Sequence, residues 1–298
     1  MADDARTASE LRDVLTAGGY DASGLTSIGV RPGLGEYLRQ LWGRRHFIWY
    51  DSRQRTATSN SDHILGNLWL FLRPLLDALF YFIIFGLVLN LSRGTDNFPA
   101  FLIIGILFYR STATALGSGS GIIRSNKSMI RAFMFPRASI PVSTVLQNSM
   151  TAVYTLMVML VTIMVIPPHV WPYWTWILIV PIFALQCLMN LGITFITSRL
   201  GFHFPDITNV LSLLARFLMY GSGVMFPIER FVGHPTALLI IQLNPLFQVI
   251  DMARTVLMDG ALPSAASWLI LAGWTAVLLV GGLIFFWRAE ETYGRELR

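Results

Sequence analysis

The stretch Gly121 to Arg137 reads GIIRSNKSMIRAFMFPR, and its first eight residues fall one glycine short of the phosphate-cradling pattern G-x-x-x-x-G-K-S. In that pattern the glycine ahead of the lysine lets consecutive backbone N–H groups turn inward; here the position is Asn126. The segment also closes an apolar run rather than following a strand, so nucleotide binding by this chain is not expected. Transferase chemistry would need converging acids, histidines or a metal site. Asp77, Asp96, Glu229, Asp251 and Asp259 are scattered, and His46, His63, His169, His203 and His234 show no ligand spacing. No metal site and no cofactor bound by this chain are expected. The single Cys187 reads as a buried apolar thiol.

What remains is charge placed inside apolar runs. Arg73 and Asp77 lie one helical turn apart, and Arg110 and Arg216 each sit within another run. Ionised groups in hydrocarbon are costly and need a partner or water. Arg73 and Asp77 are expected to form a mutual ion pair near the cytoplasmic end, with Arg73 snorkelling. For Arg110 and Arg216 two readings stand: hydrogen bonds within the protein, or a guanidinium fork offered to a diphosphate.

The elements that must hold these charges are membrane spans. Of 298 residues, 54% are hydrophobic and 13% charged, with a mean hydropathy of +0.57, outside ordinary soluble composition. Windows long enough to cross a bilayer run over about 66–90, 98–120, 140–166, 174–198, 207–227 and 265–287. The net charge of +5 does not point to nucleic acid, because of where it sits. Arg39, Arg44, Arg45, Arg53 and Arg55 precede the first window; Arg124, Lys127, Arg131 and Arg137 join the second to the third; Arg288, Arg295 and Arg298 follow the last. The connections on the other side hold Arg93 and Asp96 in one case and no Asp, Glu, Lys or Arg in the other. The positive-inside rule then gives six spans with both termini cytoplasmic. The opening MADDARTASELRDVL has no apolar h-region, so no cleavable signal is expected.

The chain divides into a flexible cytoplasmic extension (1–34), an amphipathic interface and connecting region (35–64) and a six-span transmembrane domain (65–298). Tyr37, Leu38, Leu41, Trp42, Phe47 and Trp49 among cations suit a helix lying in the bilayer interface, or packed on the protein's own cytoplasmic face. Between spans five and six, TALLIIQL is too short to cross and Asn244-Pro245 breaks it before 246–258. This reads as a re-entrant pair of half-helices on the outer side. The cytoplasmic connection SNKSMIRAFMFPR offers a short helix. Met129, Ile130, Phe133 and Phe135 form an apolar patch, Lys127, Arg131 and Arg137 surround it, and Pro136 ends it. Such a helix suits docking into a partner's groove, or anchoring on anionic lipid.

Four segments in order resemble a known family: SNKSMIRAFMFPRASIPVS, RLGFHFPDITNV after span four, GSGVMFPIERF after span five, and LNPLFQVIDMARTVLMDG. Together they are similar to the permease subunits of ABC-2 type exporters over about residues 35–298, most of all the branch exporting lipid-linked polysaccharides such as O-antigens, teichoic acids and galactans. The resemblance implies an all-α polytopic fold of a bacterial plasma-membrane protein, a homodimer, and one ABC ATPase subunit per permease, with ATP and Mg on that partner. The ATPase would contact residues 126–137 and the amphipathic helix near 35–46. The outer hairpin would shape a gate, placing Asn244, Pro245, Asp251 and Arg254 there. Aromatic residues line the passage in that branch, so Tyr81, Phe82, Phe85, Phe108, Tyr109, Phe217 and Tyr220 are candidates here, beside Arg110 and Arg216. Arginine outnumbers lysine 21 to 1, a GC-rich coding bias that points towards the actinobacterial members exporting cell-wall galactan on a polyprenyl diphosphate lipid. Other readings are a drug or small-lipid exporter of the same type, a polytopic membrane transferase and an ion-coupled carrier.

Overall fold

The computed structural model describes residues 16–18, 32–58, 65–81, 83–84, 97–132, 135–165, 167, 169–228 and 235–295. Among the described residues no strand occurs, as expected where lipid leaves backbone groups no partner but their own helix. Helices α1 (Leu34–Gly43) and α2 (Arg45–Thr58) precede α3 (Trp69–Tyr81). Then come α4 (Phe98–Ser125), the short α5 (Lys127–Ala132) and α6 (Ser139–Val165). A 3-10 turn at Trp174–Leu178 runs into α7 (Ile179–His203), which α8 (Ile207–Gly221) follows. Two shorter helices, α9 (Pro235–Gln242) and α10 (Pro245–Leu257), lead to α11 (Ala265–Trp287) and α12 (Glu290–Arg295).

Against the six spans expected, four helices among the described residues are long and apolar enough to cross a bilayer: Phe98–Ser125, Ser139–Val165, Trp174–His203 and Ala265–Trp287. The window expected over 66–90 is helical as α3, carrying Pro74, and residues 82 and 85–90 lie outside the described residues. The window expected over 207–227 stops at Gly221, where the chain turns. Fifteen residues rise only about 22 Å, short of the roughly 30 Å hydrocarbon core. Two short helices, α9 and α10, occupy the segment expected to form a re-entrant pair of half-helices. Asn244 separates them, and its side chain accepts from the Leu246 N–H at 3.0 Å, capping α10 with Pro245 at its first position.

α7 is the centre of the bundle, packed along α4 on one side and α11 on the other. Its contact with α11 is backbone against backbone: a Cβ on Gly192 would meet the Leu279 nitrogen at 2.6 Å, the small-residue packing by which membrane helices associate. Toward α4, α7 presents a buried polar seam at four-residue spacing, Gln186, Asn190, Thr194 and Ser198. Gln186 Nε2 donates to the Phe108 carbonyl at 2.7 Å and Thr112 Oγ1 at 3.1 Å, and Asn190 Nδ2 donates to Ser111 Oγ at 3.1 Å. Ile182, Met189, Val249, Ile250, Met252 and Leu271 fill the core around the N-terminal half of this seam. A second core joins α1, α5 and α12 to α4, α7 and α11.

Candidate functional site

The connection 126–137, expected to be cytoplasmic and to dock a partner, is held from both ends. Asn126 closes α4, its Nδ2 donating to the Ile122 carbonyl at 2.8 Å, and α5 follows at once. A helix of six residues has no stability of its own and forms by packing its apolar side inward. Ile130 is buried, and Met129 and Phe135 pack on the same core as Tyr37, Phe195, Phe202 and Phe286. Pro136 is buried too. The patch expected to face a partner is thus turned into the protein at these positions. Lys127, Ser128, Arg131 and Ala132 are the exposed ones. Phe133 lies outside the described residues.

Where the connection runs into α6 it meets a residue that the sequence pattern does not single out. Glu290, the first residue of α12, is 4% exposed. Its Oε1 accepts from the Arg137 backbone N–H at 2.9 Å and from Arg137 Nη1 at 3.3 Å. Oε2 accepts from Tyr37 Oη at 2.7 Å, and that hydroxyl in turn accepts from the Ala138 N–H at 3.0 Å. Arg137 Nη1 also donates to the Glu290 carbonyl at 2.9 Å. Burial pushes the Glu290 carboxyl above the usual glutamate range against the pull of these donors. Burial likewise raises the Tyr37 and Tyr293 phenols. The only local signal was an acid directly after the last apolar run, among arginines.

The expected ion pair differs in its partner. Asp77 pairs with Arg110 of α4, while Arg73 is exposed. An i, i+4 spacing permits a pair but does not compel one, and Arg110 reaches Asp77 from the neighbouring helix. The pair lies at a cavity of about 180 Å³ between α3, α4 and α6, which also touches Pro74, Ser111, Thr114 and Asn148. The Asn148 amide nitrogen is buried there without a hydrogen-bond partner.

The aromatic candidates separate. Phe108 is fully buried in the core, so it lines no passage within this chain. Tyr109 is half-buried, its Oη donating to the Ala215 carbonyl at 2.9 Å and tying α4 to α8. Phe217 is 68% and Tyr220 56% exposed. The Tyr81 side chain, Phe82 and Phe85 lie outside the described residues. Arg216 is exposed and makes no ion pair among the described residues. Asn209, Leu213, Arg216 and Tyr220 recur at helical spacing along one open face of α8.

On α10, in the segment expected to form the outer hairpin, Arg254 is 8% exposed. Its guanidinium donates to the carbonyls of Phe101, Gly223 and Val224 and lies over the Phe101 ring. It pins α10 to the start of α4 and to the turn after α8. Asn244 Nδ2 donates to Ser222 Oγ at 2.8 Å, reinforcing the same junction. Asp251 is half-buried on α10. Among the described residues no group of three or more His, Cys, Asp or Glu is placed to hold a metal ion.

No protein-family model matches the chain. Curated relatives do. The chain is 28% identical over 255 residues to the O-antigen export system permease protein RfbA of Myxococcus xanthus, covering 85% of this chain and 96% of that protein. It is 28% identical over 225 residues to an RfbA permease of Klebsiella pneumoniae, covering 75% and 84%. The polysialic acid transport protein KpsM of Escherichia coli is 26% identical over 230 residues, covering 76% and 87%. Apolar helices and transport relatives together make this a multi-pass membrane protein. The resemblance carried by the four sequence segments extends over most of the chain, which is a relative of the permease proteins of polysaccharide export.

Proposed function

We propose that this chain is the permease subunit of an ATP-driven exporter moving a lipid-linked polysaccharide, O-antigen-like or a cell-wall galactan on a polyprenyl diphosphate, from the cytoplasm across the bacterial plasma membrane. A separate ABC ATPase binds ATP and Mg and contacts the face of residues 126–137 together with α1. Two copies of the permease form the passage, both termini are cytoplasmic, and the hairpin α9–α10 re-enters the membrane from outside.

Beyond the relatives' names, one observation supports this reading: the open face of α8. A guanidinium facing lipid at mid-helix costs about 2.5 kcal/mol or more, so the face carrying Arg216 is suited to water, substrate or a second copy rather than to hydrocarbon. Phe217 and Tyr220 beside it, both more than half exposed, suit the C–H faces of sugar rings. Arg216 itself suits a diphosphate through its donor fork.

The test is purification of the tagged chain from its native membrane in detergent, with co-purifying proteins identified and ATP hydrolysis assayed. An ABC ATPase at one-to-one stoichiometry, with hydrolysis stimulated by a lipid-linked glycan, is the expected result. Absence of any ATPase partner refutes the proposal. Stimulation by small amphiphiles alone moves the assignment to a drug or small-lipid exporter. In the same preparation Phe133→Asp is expected to leave the chain in the membrane and to lose the ATPase.

A further inference from the structure

The cytoplasmic connection, the amphipathic helix α1 and the chain end have no covalent reason to move together. Tyr37 and Arg137 lie 253 and 153 positions from Glu290 in the chain. They nevertheless converge on one buried carboxylate, and every partner of that carboxylate is a donor: a phenol, a backbone N–H and a guanidinium. The apolar surroundings are equally shared. Tyr293 of α12 stands edge-on to Phe202 of α7 with centroids 5.0 Å apart and lies 4.8 Å from Phe286 at the end of α11. Trp287 Nε1 donates to the Pro32 carbonyl at 3.1 Å, holding the start of α1 to the end of the last span.

A buried ion pair of this kind is a poor source of stability, since desolvation offsets much of the attraction, but breaking it leaves an uncompensated charge. Its effect is to fix placement. The Glu290 oxygens admit only one relative position of Arg137, Ala138 and Tyr37, because the Tyr37 hydroxyl must accept from Ala138 while donating to Glu290.

We infer that Glu290 is a positioning residue for energy transmission: acting through Tyr37 and Arg137, it locks the connection 126–137, α1 and the end of α11 into one body, so that a displacement imposed on the connection reaches the last span undiminished. The inference rests on reading 126–137 as the ATPase contact. A connection free to flex would absorb the stroke of its partner, whereas one clamped at its exit passes the stroke to α11 through α12.

Two measurements test it. The first is backbone amide exchange of the purified chain alone, wild type, Glu290→Gln and Tyr37→Phe. Glutamine turns one acceptor oxygen into an amide facing a donor. Exchange at Arg137 and Ala138 and through 34–43 is expected to rise together by about tenfold or more, the size of a lost charge-assisted bond. Tyr37→Phe, which keeps the buried ring, is expected to expose the Ala138 amide while Arg137 stays protected by Glu290. Wild-type exchange in 34–43 for Glu290→Gln overturns the inference.

The second is glycan export per ATP hydrolysed in vesicles, normalised to assembled complex, a ratio that a merely stabilising residue leaves unchanged. It is expected to fall about two- to thirtyfold in Glu290→Gln, the range in which residues along a coupling network act, and less in Tyr37→Phe. An unchanged ratio in both variants overturns the inference. If Glu290→Gln fails to assemble, Tyr37→Phe decides by the same ratio. If wild-type chain recruits no ATPase, the functional reading has failed, while the exchange arm still decides whether Glu290 binds the three segments together.

Discussion

Arg254→Met removes the guanidinium that joins α10 to α4 and to the turn after α8, while leaving an unbranched apolar stem in the same space. The native side chain donates to Phe101 O at 3.2 and 2.9 Å, to Gly223 O at 2.7 Å and to Val224 O at 2.9 Å. Phe101 O lies inside α4 and keeps its ladder bond, so two carbonyls beyond the end of α8 lose a charged donor. At about 1.5–3 kcal/mol for a bond to a charged group, the loss is about 3–6 kcal/mol, and water entering at the turn brings it to the lower end. About 3 kcal/mol is a hundredfold in the folded ratio and lowers the melting temperature by about 6–12 °C for a chain of this size. The assay is the fraction of monodisperse protein surviving a temperature series in detergent. Arg254→Lys is expected to fall between, because an ammonium keeps the charge but not the planar fork. Gly105→Ala probes the same junction from the other side. Its Cβ would meet Val224 O at 2.7 Å and press on Arg254 Nη2, so the double variant with Arg254→Met should lose less than the sum of the two. A melting temperature for Arg254→Met within about 2 °C of wild type, well under the shift expected of even one such bond, or strict additivity of the double, refutes the reasoning.

Three further outcomes are expected. Gly192→Leu places a side chain into the Leu278–Leu279 backbone and should abolish folded protein on gel filtration, with Gly192→Ala milder but in the same direction. Asp77→Arg and Arg110→Asp should each lower the membrane-inserted level, and the swapped double should recover part of it, with a coupling of about 0.5–3 kcal/mol; equal loss in single and double variants would mean that the pair is incidental. The Glu290 carboxyl is raised above its ordinary 4.5 by burial, so its favourable contribution is complete below that value and is lost as pH climbs through the raised folded value. The melting-temperature difference, wild type minus Glu290→Gln, should therefore shrink with rising pH over that window, and growth would contradict the assigned direction.

Much of the architecture was legible because the bilayer acts on each segment separately. Twenty apolar residues declare a span whatever they pack against, and α4, α6, α7 and α11 all lie where hydropathy placed them. The break at Asn244-Pro245 was legible for an equally local reason, a capping amide followed by a residue suited to the first helical position. Local reasoning failed where length was decided by a neighbour. The window over 207–227 is long enough to span by its overall hydropathy, yet α8 stops at Gly221, where Arg254 and Asn244 claim the turn beyond it.

Side-chain roles divided along the same line. Composition and pattern by themselves determined that this is a helical membrane protein and where its long apolar helices lie, because each follows from residues adjacent in the chain, whereas the six-residue helix Lys127–Ala132 also needs the core that Ile130 packs into. Only the tertiary structure decided that Asp77 pairs with Arg110 rather than Arg73, that Phe108 is core while Phe217 is open, and that Glu290 binds segments from both ends of the chain. Hydropathy is a sum over neighbours in sequence, whereas the partner of a buried charge is whichever donor the packing brings within about 3 Å, and the chain's order carries no record of that distance.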